Sequence, residues 1–444
     1  MSIPDGGTAT AQIHAGYEPQ APHRPVTVPL YQSAAYEFPD YESARRMFAL
    51  KEAGFTYTRT GNPTVAVLEQ RVAALEGGTG ALATATGQAA VAVALLALVR
   101  GGQHLVASSK LYGGTVDLLT DTFGDFGIEV SFADPADAGA WAAAVRPQTR
   151  AFLTEAIGNP LATLQDLPAI AAVAHGAGVP LVVDNTLATP VLYRPLELGA
   201  DVVVHSATKF LGGHGTSLAG LVVDGGRFDF SAYPEKWPQL TRPKRRYGGD
   251  TLWERHGRGA YLALARSKYL HDLGPSLSPY NAAQVLQGLE TLDIRVARHG
   301  ENTREVADFL AGHPAVAAVH HPSVPGHLQA SLAARDFPRG TGSVFSFDLA
   351  ADPAEVGPFI DRLRLFKLVA NVGDTRSLVA HPAAMTHCRL SPRQRAAAGI
   401  GEATIRLSIG LESAADLVAD LARALDPLTA TLPASGAPAA VVNA

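Results

Sequence analysis

Val202-Val203-Val204-His205-Ser206-Ala207-Thr208-Lys209 decides how this chain reads. Three consecutive valines make a strand that is apolar on both faces. Such a strand belongs inside a parallel sheet with helices on both sides. Beyond it come two hydroxyls and a lysine, then Gly212-Gly213-His214-Gly215. Ligands on open α/β sheets sit outside the carboxyl ends of the strands, so polar residues at this point carry chemistry. A lysine just past a buried strand is partly desolvated, which lowers its pKa and makes its amine a usable nucleophile. Ser206 and Thr208 can donate to an anion, and the glycines allow tight turns. Taken alone, the segment also reads as a surface lysine in a flexible loop. The order Gly-x-x-x-x-Gly-Lys-Ser/Thr is absent here, which argues against a P-loop.

Outward from this segment, short apolar strands alternate with helices. Strands are expected at His104–Ala107, Ile128–Phe132, Ala151–Thr154, Pro180–Asp184, Val202–His205 and Ala219–Val223, with helices such as Gln88–Val99 and Leu167–His175 between the first five. Strands spaced by helices imply a mostly parallel sheet covered on both faces. Upstream, Asn62-Pro63 opens a helix, with Asn as cap and Pro at the first helical position. Its apolar positions Val65, Leu68, Val72 and Leu75 recur at helical spacing until Gly77-Gly78 stops it. Residues 1–62 show no sustained helical period and read as an extended arm. Near Leu270 the pattern changes to the helical stretches Asn281–Thr291 and Arg295–Leu310. The strands Ser343–Leu349 and Thr404–Ile409 follow, then a helix near Ala414–Leu425. The expected division is an arm (1–62), an α/β domain (63–270), an α+β domain (271–428) and a frayed tail (429–444).

Composition bounds the function. Of 444 residues, 47% are hydrophobic and 17% charged, enough to bury a large core and to exclude wholesale disorder. Thirty-six Lys and Arg stand against 41 Asp and Glu, which gives no general electrostatic reason to bind nucleic acid or an anionic membrane. The single cysteine, Cys388, cannot make an internal disulfide or a multi-thiolate metal site. Residues 1–23 contain no Lys or Arg and no long apolar core, so no secretory signal is expected, and the longest apolar run is too short to span a membrane. The expected location is the cytoplasm. His205, His214, His320 and His321 suggest a metal, but no His-Glu-x-x-His or Cys pair supports one, so they read as satisfied or surface histidines. Arg242, Lys244, Arg245 and Arg246 read as a solvated basic loop.

Two further positions complete a constellation around Lys209. Asp184 ends the apolar strand Leu181-Val182-Val183, where a carboxylate can pair with a protonated ring nitrogen or cap the next turn. Thr86-Gly87-Gln88 begins a helix, and a glycine at a helix N-terminus offers close backbone approach to a phosphate. An amine, an acid for a ring nitrogen and a phosphate cradle are what pyridoxal phosphate requires.

With these residues in place the chain resembles the pyridoxal-phosphate enzymes of cysteine and methionine metabolism, and within them the O-acetylhomoserine sulfhydrylases. The matching segments are Tyr57 through Thr64, Ala85 through Ala90, Leu111-Tyr112-Gly113-Gly114-Thr115, Asp184-Asn185-Thr186, His205 through Thr216, Gln287 through Leu292, and His381-Pro382-Ala383. The resemblance implies the aspartate-aminotransferase-like α/β fold, with pyridoxal phosphate as the cofactor, held covalently by Lys209. Asp184 would hold the ring nitrogen protonated, Tyr112 would stack on the ring, and Gly87, Gln88, Ser206 and Thr208 would hold the phosphate. Tyr57 and Arg59 would reach the neighbouring subunit's cofactor, so the active site would be shared within a homo-oligomer, a tetramer in this family. Arg406 would receive the substrate α-carboxylate with help from Asn371. Arg406 lies opposite Ile405, Leu407 and Ile409 on its strand, and its planar fork matches a carboxylate, although a structural salt bridge is the plain alternative.

The reaction implied is γ-replacement: acetate leaves O-acetylhomoserine, and sulfide or a small thiol takes its place to give homocysteine or methionine. The rivals are a γ-lyase of the methionine γ-lyase type, cystathionine γ-synthase and, remotely, a catalytically silent cofactor-binding protein. The lyases usually carry cysteine where this chain has Gly114, which favours the sulfhydrylase. The basic run at Arg242–Arg246 departs from the sulfhydrylase pattern, and leaves the fine substrate preference open.

Overall fold

The computed structural model describes residues 7–389 and 391–429. The frayed tail expected from residue 429 lies, after Thr429, outside the described residues. Two sheets organise the chain. The first contains β1 (Gly80–Thr84), β2 (His104–Ser108), β3 (Glu129–Ala133), β4 (Thr149–Glu155), β5 (Leu181–Asp184), β6 (Val202–Ser206) and β7 (Gly220–Asp224). Its order is β1-β7-β6-β5-β4-β2-β3. β7 runs antiparallel to both neighbours, and every other pairing is parallel. The mostly parallel sheet expected from the apolar strands is therefore present. Val202, Val203 and Val204 are all buried, as a strand covered on both faces requires.

The second sheet contains β8 (Val316–His320), β9 (Val344–Leu349), β10 (Lys367–Leu368), β11 (Leu378–Ala380) and β12 (Thr404–Ser408), in the order β10-β11-β12-β9-β8. The helices Pro279–Leu289, Leu292–Ala311 and Ala414–Thr429 accompany it. The first and second of these are joined to the first sheet by a buried arginine. Arg295 donates from Nη1 to Phe210 O (2.9 Å) and from Nη2 to Gly288 O (2.7 Å), so one guanidinium ties the segment after Lys209 to the helix pair.

Several elements depart from the sequence reading. The arm is not wholly extended. It carries helices α1 (Thr8–His14) and α2 (Tyr41–Phe48), each too short to show an apolar period. α2 is stabilised by polar contacts instead: the Asp40 side chain accepts Ser43 N–H, and Glu42 pairs with Arg45. α1 docks through a buried glutamine, since Gln12 donates to Glu290 O and accepts from Asp293 N. Strand β1 escaped because Gly-Ala-Leu-Ala-Thr has little intrinsic strand preference; its pairing with β7 holds it. β8, β10 and β11 escaped as well, two of them being only two or three residues long.

α3 (Pro63–Glu76) follows the arm as the Asn-Pro pair implies. The fully buried Asn62 Oδ1 accepts from Thr64 N and Val65 N, and Gly77 ends the helix in the left-handed conformation at φ 73°. Asn62 Nδ2 also donates to Tyr31 O (2.8 Å) and Tyr36 Oη (2.7 Å), so the cap residue ties the arm to α3. Asn62→Ala should therefore cost about 2 kcal/mol, read as a lower urea midpoint. Asn62→Asp should recover about half of that, because a carboxylate keeps the cap and loses the two donations.

Candidate active site

The carboxyl ends of β1, β2, β4, β5 and β6 converge on one cavity of about 870 Å³, closed on the far side by residues of the second sheet. Lys209, Asp184, Tyr112 and Arg406 all line it. Gly87, Gln88, Ser206, Thr208 and Asn371 line it too. Nine of the eleven expected site residues therefore meet in one place. Tyr57 and Arg59 do not line this cavity: Tyr57 is half exposed, and Arg59 stacks over its ring at 5.6 Å while donating to His271 O.

Lys209 sits in the turn after β6, where its Nζ donates to Asn371 Oδ1 at 2.6 Å. Burial, and then the nearby Arg406 charge, hold its ammonium below the ordinary lysine range. Arg406 projects from β12 with Ile405, Leu407 and Ile409 buried on the other face, and is itself almost wholly enclosed. Its Nη2 donates to Asn371 O (3.1 Å) and Nη1 to Asn159 Oδ1 (3.4 Å), while Nε has no partner. Burial brings its pKa down to about 10. No carboxylate pairs with it among the described residues, so the salt-bridge alternative finds no support.

Asp184 ends β5 facing the same space. Burial raises its pKa, while hydrogen bonds from the Thr186 hydroxyl and backbone, and the His205 charge, pull it back. Here Thr186 N donates to Asp184 Oδ1 at 2.9 Å, so the turn-capping role coexists with the open carboxylate. Opposite lies the N-terminus of α4 (Gly87–Leu98), capped by the Thr86 side chain, which accepts Ala89 N–H at 3.0 Å. The first N–H groups of a helix have no partner within it, and they carry the positive end of its dipole. A Cβ on Gly87 would stand 2.4 Å from Ser206 Cβ and 2.7 Å from Ser206 Cα, so glycine is what lets this helix close on the end of β6. The Thr208 hydroxyl is engaged with the backbone of Ala219.

Three groups were not legible in advance. Glu155, at the end of β4, lines the cavity, as do Asn159 and His387. Burial lowers the His387 pKa to about 4, so the ring is neutral. A signal for Glu155 did exist, since it follows an expected strand just as Asp184 does. The expected histidines have ordinary partners: His205 Nε2 meets the buried Glu76 Oε1 at 2.6 Å, His320 meets Asp348, His321 meets Ser323 and His214 meets Gly212 O. The basic loop is exposed, with Arg242 paired to Glu235 and Arg246 to Asp272.

A desolvated amine, a buried acid and an anion cradle around one cavity define a site for a phosphorylated pyridine aldehyde on an α/β fold, and the residues present fit that group. The comparisons agree. Residues 9–426 match the family described as Cys/Met metabolism PLP-dependent enzyme, and the chain belongs to it. It is 45% identical over 425 residues to the O-acetyl-L-homoserine sulfhydrylase of Leptospira meyeri, covering 94% of this chain and 96% of that protein. Among solved structures it superposes with TM-score 0.92 and 36% identity on a Campylobacter jejuni protein described as an O-acetylhomoserine (thiol)-lyase, crystallised with pyridoxyl-lysine phosphate. That match covers 95% of this chain and all of that one. The cystathionine gamma synthase of Xanthomonas oryzae pv. oryzae superposes with TM-score 0.83 and 34% identity, over 96% of this chain and all of that one. The chain is thus a pyridoxal-phosphate enzyme with the type I fold that the resemblance implies.

The shifted lysine yields a pH test on cofactor-free protein. Its folded pKa lies below the ordinary 10.5, so between the two values the unfolded chain binds more protons, and this group's contribution to stability rises with pH. Below the folded value the cost of enclosing an ammonium is present in full. Lys209→Met should therefore raise the melting temperature more at pH 7 than near pH 10.5, and a gain independent of pH would contradict the assignment.

Proposed function

We propose that the chain performs γ-replacement on O-acetylhomoserine with sulfide or a small thiol, giving homocysteine or a methionine-type product. The observation that carries this reading is the placement of Lys209, Asp184 and Arg406 around one cavity. Bound pyridoxal phosphate supplies the electron withdrawal that makes the Cα and Cβ hydrogens of an amino acid acidic. Lys209 is the group that holds it, because its amine is buried and its ammonium is disfavoured. Asp184 is the carboxylate for the ring nitrogen. The N–H groups of Gly87 and Gln88, with the Ser206 and Thr208 hydroxyls, would receive the phosphate.

Arg406 receives the substrate α-carboxylate, and its unpartnered Nε supports that role. Asn371 holds Lys209 and Arg406 together, accepting from one through Oδ1 and from the other through its backbone oxygen. With the carboxylate fixed and the substrate's own amine in place of the lysine on the cofactor, the freed Lys209 amine would take the Cα proton, and Tyr112 lies alongside for proton transfer near the departing acetate. A Cβ on Gly114 would come within 2.6 Å of the Tyr112 ring, so the glycine gives this tyrosine its position. That supports replacement over the lyase reading, in which a cysteine takes this place.

Tyr57 and Arg59 serve the phosphate of a second subunit. Their position outside the cavity of their own chain, with the Tyr57 ring exposed, supports a shared site in a homotetramer. We divide the chain as an arm (1–62), a cofactor domain (63–270) and a C-terminal domain (271–428), a division supported by the two separate sheets. Among the described residues no helix is long and apolar enough to cross a membrane, and a cytoplasmic location suits a biosynthetic enzyme.

Turnover assays crossing O-acetyl-, O-succinyl- and O-phosphohomoserine and O-acetylserine with sulfide and methanethiol test the reading. O-acetylhomoserine with sulfide should lead; release of a 2-oxo acid and ammonia without thiol incorporation would move the chain to the lyases. Arg406→Lys keeps charge and loses the planar fork, and should lower kcat/KM by roughly one to two powers of ten with cofactor content unchanged. A falling melting temperature with normal kinetics would remove Arg406 from the site. Mixing inactive Arg59→Ala with inactive Lys209→Ala subunits should restore part of the activity, because one class of hybrid site carries neither lesion. Proven subunit exchange without recovery would exclude a shared site.

A further inference from the structure

Glu155 is the one buried acid of the cavity that the reaction described above leaves without a task. It ends β4 directly beside the end of β5, and Glu155 and Asp184 are partners in the strand register. Two carboxyls thus end adjacent strands at the wall of the cavity, Glu155 enclosed and Asp184 partly so. Like charges on adjacent strand positions repel, which favours a proton on one of the two. Their surroundings decide which. Asp184 has hydrogen bonds from the hydroxyl and the backbone of Thr186, and the favourable charge of His205. Glu155 has two backbone donors, Tyr112 N at 2.6 Å and Asn159 N, yet burial and the Asp184 charge outweigh them and push its carboxyl well up. Other charged groups around the cavity are committed elsewhere. Lys209 donates to Asn371, Arg406 to Asn159 and Asn371, and Arg389 to Asp117, while His387 is neutral.

The two residues that Glu155 holds by their backbones are the ones with most to position. Tyr112 begins the Gly113–Asp117 helix and carries the ring over the cavity; Asn159 is the side-chain partner of Arg406. One carboxyl therefore fixes the aromatic wall and the carboxylate receptor relative to each other. We propose that Glu155 is a positioning residue: a protonated carboxyl that holds Tyr112 and Asn159 in register and leaves Asp184 the sole negative charge of the pair, facing the cofactor ring. This rests on the roles given above to Asp184, Tyr112 and Arg406.

A neutral acid has an isostere in glutamine, whose amide oxygen can accept the Tyr112 N–H that Oε1 accepts, whereas alanine leaves Tyr112 N and Asn159 N without this partner. Infrared difference spectra of wild type minus Glu155→Gln, taken at pH 8 on cofactor-free and loaded protein, should show the carbonyl band of a protonated carboxylic acid. Glu155→Ala should lower kcat/KM for O-acetylhomoserine by roughly thirtyfold, and Glu155→Gln should recover most of that loss. The inference is overturned if wild type shows only carboxylate bands at this position. It is equally overturned if Glu155→Gln is folded and loaded yet as impaired as Glu155→Ala, because the anion would then be what the site uses. If wild type turns over none of the homoserine esters, the γ-replacement reading fails, while the infrared band of the cofactor-free protein still decides the protonation of Glu155.

Discussion

The structure depends on where parallel strands stop. At the carboxyl edge of the first sheet the ladder of backbone hydrogen bonds ends for β4, β5 and β6 together, and their last residues are Glu155, Asp184 and Ser206. Each places a polar side chain on the wall of the cavity. The apolar strands thus do two jobs: they bury the sheet, and they deliver charged groups to one rim without a flexible connection. Four ionisable groups line the cavity there, Glu155 and Arg406 enclosed and Lys209 and Asp184 partly so. Keeping them enclosed is costly, and that cost is what shifts each pKa toward the neutral form.

The second sheet completes the rim from the other side. Arg406 comes from β12 and Asn371 from the loop between β10 and β11, and Arg295 ties the helices beside this sheet to the carbonyls directly after Lys209. A Cβ on Gly213 would stand 2.1 Å from Arg295 Nη1, at a residue whose φ is +73°. The glycines that follow Lys209 are therefore needed twice, for the left-handed turn and for room beside a buried guanidinium. This is why the lysine segment reads so clearly: its strand, its hydroxyls and its glycines each answer a separate physical demand.

Most of the first sheet was legible in the sequence as apolar strands spaced by helices, and Asp184, Ser206, Thr208 and Lys209 because they end or follow such strands, whereas Tyr112, Asn371 and the receptor role of Arg406 came only with the family resemblance. The arm was less legible. α2 owes its existence to Asp40 and to pairs among Glu42, Arg45 and Arg46, and such contacts leave no periodic apolar trace. β1 is held by its antiparallel partner β7, a pairing that is long-range and invisible locally. Glu155 obeyed the same rule as Asp184 and was passed over because a lone acid after a strand suggests no ligand until its neighbour is known. Asn159 and His387 acquire meaning only beside Arg406, which lies far away along the chain.

Beneath the rim, a single oxygen joins three elements. Glu76 Oε1, at the end of α3, accepts from His205 Nε2 of β6 at 2.6 Å and from Asn185 Nδ2, just past β5, at 2.8 Å. Both side chains are fully enclosed, so no water can replace either bond when it breaks. The ends of β5 and β6 consequently cannot fray one at a time. Amide hydrogens there should exchange with solvent as a block together with the last turn of α3, so the floor of the cavity behaves as one cooperative unit.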